Sequence, residues 1–132
     1  MAPAAFSTIK AHFEDMNTGP EDFDLIVTGD LGQVGKEALL ELARRDGLCL
    51  GGKLTDCGTL VFDLQKQDVH AGGSGCGCSA ITLCGHLLDE LNKGKLKKIL
   101  FCGTGALLSP TSTQQGLPIP GVCHAVCIHG RN

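Results

Sequence analysis

The chain has 132 residues, enough for one small domain, and its 42% hydrophobic content is enough to form a core. The net charge is −3, aromatic residues make up 4%, and there is no basic stripe, so a nucleic-acid-binding domain is excluded. No apolar run reaches the roughly 18–20 residues of a membrane-spanning helix, and no secretory signal pattern is present, so we expect a domain without a direct membrane span, made in a reducing compartment.

The first third of the chain predicts a helix, a buried strand and a second helix. Residues 1–5 carry no pattern, whereas Phe6–Met16 shows helical spacing of its apolar side chains. Residues 24–29 are mostly apolar, which is typical of a strand that is buried on both faces of a parallel sheet. Asp30 is predicted to cap a helix that Gly47 ends. This order of elements is half of a βαβ unit.

The middle of the chain is organised around a glycine-rich loop at residues 72–77. Residues 48–57 lack a pattern and predict a loop, and Thr59–Leu64 predicts a short strand. A helix is predicted from the end of the glycine loop to about Asn92. Its expected buried stripe consists of Ala80, Leu83, Cys84, Leu87, Leu88 and Leu91.

The last third predicts two strands separated by a long polar loop. Residues 98–103 form a second buried strand, residues 104–120 a lid or binding loop, and Val122–His129 an antiparallel edge strand. The predicted fold class is therefore α/β, with three to four largely parallel strands and helices on the faces. In such sheets ligands bind beyond the carboxyl ends of the strands, where the glycine loop also lies.

The glycine loop fits neither common nucleotide-binding motif. A P-loop needs Lys and Ser or Thr after its last glycine, where Cys78 stands here, and the spacing is not that of a Rossmann fingerprint. A backbone nest for an anion or a carbonyl oxygen is the better interpretation. Asp30 is more often a helix cap than a catalytic carboxylate, and for His70 a pocket-lining role and a surface role are equally favoured.

The eight cysteines predict packing more than chemistry. Cys84, Cys102, Cys123 and Cys127 lie in apolar patterns and are expected in the core. Paired zinc-ligand spacing is lacking, so no metal is predicted. A reactive thiol near the helix start is one interpretation of Cys76 and Cys78, and a small residue that fits a crowded turn is the favoured one.

Three separate motifs resemble the stage V sporulation protein AD family, over about residues 1–129. They are DLIVTGDLG at 24–32, KQDVHAGGSGCGCSA at 66–80, and GALLSPTS with QQG and IPG between 105 and 121. The resemblance implies a thiolase-like fold of which residues 1–132 are a C-terminal subdomain, a fragment of a larger protein. It also implies binding of dipicolinic acid, a small dianion, by a protein of the forespore cytoplasm or the periphery of the spore inner membrane. The implied partners are other proteins of the same sporulation operon; a dimer is left open, and no cofactor is expected.

The resemblance also weighs against catalysis. Thiolase-like enzymes carry a His after the strand matched by residues 24–29 and an Asn or His in the glycine loop, and neither is present here. Their nucleophilic Cys belongs to an N-terminal half that this chain does not match. We therefore predict no catalytic residues, and a ligand-binding set of Thr28, Asp30, His70, Gly73, Ser74, Gly75 and Cys76. The alternatives are an acyltransferase-like thiol enzyme that uses Cys76 or Cys78, and an interaction module that completes a sheet with another chain.

Overall fold

A computed structural model describes residues 1–131, and Asn132 lies outside the described residues. The fold is α/β around a four-stranded sheet of order β2-β1-β3-β4. The strands are β1 (Leu25–Thr28), β2 (Leu54–Asp56), β3 (Lys98–Ala106) and β4 (Gly121–His129). β1 pairs in parallel with both β2 and β3, and β4 is antiparallel to β3 at the edge. The predicted α/β class, the largely parallel sheet and the antiparallel edge strand are confirmed, and the thiolase-like assignment stays a prediction.

Helices cover both faces of the sheet. They are α1 (Ala2–Met16), α2 (Gly32–Arg45), α3 (Cys57–Leu60), α4 (Cys78–Thr82), α5 (Leu88–Asn92) and α6 (Pro110–Gln114), with a π-helical segment at Leu83–Leu87 between α4 and α5. Within residues 1–131, no helix combines the length and apolarity needed to cross a bilayer.

Helix α1 begins earlier than the sequence pattern indicated. The expectation of an unattached start at residues 1–5 is wrong, because Ala2 and Ala5 are buried together with Ile9 and Phe13. Small alanine side chains let the first turn approach the sheet closely, and their helix propensity is high. A hydrophobic pattern based on large side chains misses such a turn.

The helical region after the glycine loop does not keep one regular period. Its buried residues are Cys78, Thr82, Leu87 and Leu91, and the step of five positions from Thr82 to Leu87 coincides with the π-helical segment. A π turn inserts an extra residue, which rotates the following side chains around the helix. The predicted stripe is therefore wrong at Ala80 and Cys84, which are exposed.

Two local predictions in the loops are also wrong. Residues 48–57 contain β2, and the strand predicted at residues 59–64 is absent because Cys57–Leu60 forms a helical turn. β2 has only three residues, two of which are polar, so it lacks the apolar run by which β1 was predicted. The polar loop at 104–120 is shorter than expected, since β3 extends to Ala106 and α6 lies within the loop.

The core consists of two clusters, one on each face of the sheet. Alternate residues of β1 and β3 divide between them: Ile26, Leu100 and Cys102 pack with α1 and α2, whereas Val27, Ile99 and Phe101 pack with Leu87 and Leu91. Burial on both faces explains the continuous apolar runs of these strands. Cys102 and Cys123 are buried as predicted, whereas Cys84 and Cys127 are exposed, so their predicted core positions are wrong.

Candidate functional site

A buried carboxylate joins the carboxyl ends of β1 and β2. Asp56 is fully buried, and its Oδ2 accepts hydrogen bonds from Thr28 Oγ1 at 2.6 Å and from Leu31 N at 2.9 Å. Its Oδ1 accepts from Gly32 N at 2.8 Å and Gly58 N at 2.9 Å. Asp56 therefore satisfies N–H groups at the first turns of both α2 and α3, where helices lack internal acceptors.

Asp56 takes over the capping role that the sequence predicted for Asp30. Helix α2 begins at Gly32 after Leu31 and has no side-chain cap from its own chain segment, so the predicted Asp30 cap is wrong. Asp56 is not among the predicted caps, because residues 48–57 lack a pattern and are expected to form a loop. The available signal was local: Asp directly before Cys57-Gly58 is a common start for a helical turn.

Asp30 instead links the ends of β1 and β3 to the glycine loop. Thr104 Oγ1 donates to Asp30 Oδ1 at 2.8 Å and accepts from the Asp30 N–H at 3.1 Å. The N–H of Gly75 lies 3.5 Å from Asp30 Oδ2, which is a long contact. The half-buried Asp30 carboxylate thus links three segments that are distant in sequence at the same edge of the sheet.

The glycine loop lies directly on helix α3. A Cβ at Gly58 would lie 2.1 Å from the Gly73 carbonyl oxygen, and a Cβ at Gly72, where φ is +106°, would lie 2.4 Å from the Gly58 oxygen. The N–H of Gly73 donates to that same oxygen at 2.7 Å, and the Ala71 oxygen accepts from Gln33 N at 2.7 Å. Only glycine permits this close approach, and the first part of the loop is already engaged within the protein.

The second part of the loop opens onto a cleft of about 380 Å³, which we call the Asp30 cleft. It is lined by Met1, Asp30, Ser74, Gly75, Cys76, Ser79, Thr104, Gly105, Ala106 and Leu108. Four of the seven predicted ligand-binding residues meet here: Asp30, Ser74, Gly75 and Cys76. Ser79 and Thr104, which add hydroxyl groups to the lining, are not among the seven predicted ligand-binding residues. Their positions after the loop and at the end of β3 are where sheet-edge sites form.

The other three predicted residues lie elsewhere. Thr28 is fully buried and bonded to Asp56. Gly73 lines a separate cleft of about 310 Å³ on the other side of the loop, beside Val61 and Phe62. His70 has a side chain that is 91% exposed, and its Nδ1 lies 3.6 Å from Asp68 Oδ1. The structure does not bring these three to the Asp30 cleft.

The surroundings of the two buried cysteines beside the cleft, Cys57 and Cys78, disfavour a thiolate. Burial, followed by the charges of Asp56 and Asp30, raises the pKa of Cys78 above its ordinary value. Cys57, beside Asp56, has its pKa raised to about 12, chiefly by burial. Asp30 carries the only side-chain charge among the residues that line the cleft. The hydroxyl groups and loop N–H groups of the cleft suit hydrogen bonding to a polar ligand more than acid–base chemistry.

Metal binding finds no support in residues 1–131. No group of three or more His, Cys, Asp or Glu side chains there is close enough to hold an ion. Asp30 links the ends of β1 and β3 to the glycine loop, and Asp56 accepts N–H groups from the first turns of α2 and α3. Neither carboxylate belongs to a group of His or Cys side chains that could share a metal ion.

The sequence is similar to known proteins of one family. A family model described as Stage V sporulation protein AD matches residues 1–129. The chain is also 48% identical to Stage V sporulation protein AD of Bacillus subtilis (strain 168) over 126 residues, which is 96% of the chain. That alignment covers 37% of the relative, so the chain spans less than half the length of the curated protein that it matches.

Proposed function

Since the chain belongs to the stage V sporulation protein AD family, we propose that it is the dipicolinic-acid-binding part of a non-enzymatic protein of endospore formation. The family match over residues 1–129 is the observation that carries this proposal. The protein would act in the forespore cytoplasm or at the periphery of the spore inner membrane, beside other proteins of its sporulation operon.

The Asp30 cleft is the proposed binding site. Its volume of about 380 Å³ falls in the usual range for small-molecule sites. Dipicolinic acid is a planar ring with two carboxylates, which need hydrogen-bond donors. Ser74 and Ser79 offer hydroxyl groups in the lining of the cleft, and the backbone around Cys76 leads into helix α4. We therefore propose that one carboxylate of the ligand lies against Ser74, Cys76 and Ser79.

Asp30 opposes a dianion in this position. Two like charges that lie a few ångströms apart near a protein surface repel each other by about 1 kcal/mol or more. The substitution Asp30→Asn keeps an oxygen for Thr104 and removes the charge. It should therefore strengthen dipicolinate binding about fivefold, as measured by isothermal titration calorimetry. Weaker binding by this variant would show that the ligand needs the Asp30 carboxylate.

The serine contacts give the complementary test. The double variant Ser74→Ala and Ser79→Ala removes two donors and should weaken dipicolinate binding about tenfold or more. Ser7→Ala, an exposed serine on α1, is the matched control and should bind normally. If the double variant binds as tightly as Ser7→Ala, the cleft is not the site. If the unaltered chain does not bind dipicolinate at all, the ligand assignment fails for this part of the protein.

A second candidate function is an interaction module that completes a sheet. β4 is a nine-residue edge strand without Lys, Arg, Asp, Glu or Pro, the residues that usually protect an edge from pairing. Val122 and Val126 on one face of β4 are 52% and 53% exposed. These features favour pairing with a second copy of the chain.

Analytical ultracentrifugation tests this candidate. Val126→Lys should weaken a dimer by at least about tenfold, because it places a charge in an apolar interface. Val34→Lys is the control, since Val34 is 69% exposed and lies on α2, not on the sheet. A chain that stays monomeric at all concentrations, or equal effects of the two substitutions, would contradict the dimer.

A further inference from the structure

The first part of the glycine loop is attached to the starts of two helices. The Ala71 oxygen accepts the N–H of Gln33, in the first turn of α2, at 2.7 Å. The N–H of Gly73 donates to the oxygen of Gly58, in α3, at 2.7 Å. The second part of the loop, which lines the Asp30 cleft, follows directly in the chain. Its position therefore depends on where the starts of α2 and α3 lie.

A single carboxylate, that of Asp56, accepts N–H groups from both helix starts. Its Oδ1 accepts from Gly32 N at 2.8 Å and from Gly58 N at 2.9 Å. Its Oδ2 accepts from Leu31 N at 2.9 Å. Each of these helix starts also provides one of the two hydrogen bonds to the loop. A shift of the carboxylate therefore reaches the loop through one residue of α3 and through two adjacent residues of α2.

The contacts between the loop and the helix starts leave little room for a shift to be absorbed. A Cβ at Gly32, where φ is +65°, would lie 2.8 Å from the Ala71 oxygen. A Cβ at Gly58 would lie 2.1 Å from the Gly73 oxygen. Backbone is thus packed directly on backbone at both points. Closely packed groups transmit a displacement to their neighbours, so the loop should follow the helix starts when they move.

We propose that Asp56 is a positioning residue for the ligand site. By fixing the starts of α2 and α3 relative to each other, it sets the position of the glycine loop in the Asp30 cleft. Asp56 is fully buried and is not part of the cleft lining, so it acts through the loop and does not contact the ligand. Supporting groups of this kind hold binding groups in their productive geometry. The expected effect on affinity rests on the binding function proposed above, whereas the effect on the loop does not.

The variant Asp56→Asn tests the proposal at the carboxylate. Whichever way its amide turns, an NH2 group replaces one oxygen, so the N–H of either Leu31 or Gly32 loses its acceptor. Dipicolinate binding, measured by isothermal titration calorimetry, should weaken about fivefold or more. The amide hydrogens of Gln33 and Gly73 should exchange with deuterium about tenfold or more faster, relative to the amides of β1 and β3, as measured by NMR.

Two further variants separate the loop position from general destabilisation. Gly58→Ala keeps the Asp56 carboxylate but places a Cβ against the Gly73 oxygen, so the loop must leave α3. It should weaken dipicolinate binding at least as much as Asp56→Asn does. Ile9→Ala is the control, because it destabilises the core without changing the loop or the two helix starts. It should bind dipicolinate normally, and any faster exchange should affect the strand and loop amides equally.

Circular dichroism confirms that each variant is folded, and trimethylamine N-oxide is added to all samples alike where a variant is partly unfolded. Normal affinity in a folded Asp56→Asn chain would overturn the proposal, whether or not the exchange is faster. A loss that Ile9→Ala reproduces would do the same, and so would a loss seen only in Gly58→Ala. If the unaltered chain does not bind dipicolinate, the binding function fails, and the exchange of Gln33 and Gly73 alone decides whether Asp56 positions the loop.

Discussion

Removal of the Asp56 carboxylate should destabilise the chain more than any exposed acidic substitution. In Asp56→Ala, the donors Thr28 Oγ1, Leu31 N, Gly32 N and Gly58 N lose their acceptor at once. The site is fully buried, so water cannot replace the carboxylate without a rearrangement of the surrounding turns.

The size of the effect follows from these contacts. Each of the hydrogen bonds contributes about 1 kcal/mol net, and more when the acceptor is charged. Asp56→Ala should therefore lower the free energy of unfolding by about 4–6 kcal/mol, against a total of about 5–15 kcal/mol for a typical domain. Asp56→Asn keeps one oxygen acceptor and should lose about 2–3 kcal/mol.

Urea denaturation followed by circular dichroism measures these differences through the shift of the midpoint at constant slope. Asp22→Ala is the matched control: Asp22 accepts one backbone N–H, from Gly19 at 2.7 Å, and is exposed. Its loss should be about 1 kcal/mol or less. If Asp56→Ala and Asp56→Asn both lie within about 1 kcal/mol of Asp22→Ala, Asp56 does not hold the strand ends together as argued.

Three further predictions follow from packing and ionisation. Leu91→Ala should lower the free energy of unfolding by about 2–4 kcal/mol, because Leu91 is only 2% exposed. Cys84→Ala should change it by about 0.5 kcal/mol at most, because Cys84 is exposed. Equal decreases for the two variants in urea denaturation would contradict the π-helical rotation. Arg44, with Arg45, lowers the pKa of Glu41 from 4.5 to about 2. The stability that Glu41 contributes is therefore present above pH 4.5 and lost as the pH falls towards 2, so thermal melts of Glu41→Gln and the unaltered chain should differ at pH 6 and converge near pH 2. Cys57, whose pKa is raised to about 12, should resist iodoacetamide at pH 8 in the folded chain and react in urea, and rapid native labelling would refute its burial.

The sheet could be predicted from sequence where strands have a clear hydrophobic signature. β1 and the first part of β3 were predicted because burial on both faces requires consecutive apolar residues. β2 was missed because Thr55 and Asp56 are polar and the strand is short. The π-helical segment has no local signal, since it depends on how α4 and α5 pack on the sheet.

The candidate site was predicted only in part, for a related reason. The residues at the ends of β1 and β3 and in the second half of the glycine loop meet because the carboxyl ends of parallel strands share one edge. His70 was predicted in the site because it is close to the glycine loop in sequence. Its backbone has a φ of +50°, its side chain is exposed, and it does not line the cleft. Three of the four hydrogen-bond partners of Asp56 are 24 to 28 positions away, and no local motif reveals them.

The packing of α1 on β4 sets an order for folding during synthesis. Thr8 Oγ1 donates to the Cys123 oxygen at 3.0 Å, across 115 positions of the chain. Ile9 and Phe13 share their cluster with Cys123, so the apolar face of α1 is completed only after β4, which Thr8 contacts across 115 positions, has been synthesised. Until then that face is open to aggregation or to a chaperone. A stop codon placed before β4 should therefore yield a product that is captured by ribosome-associated chaperones or degraded. This is expected even though α1, α2 and three of the four strands are present in that product.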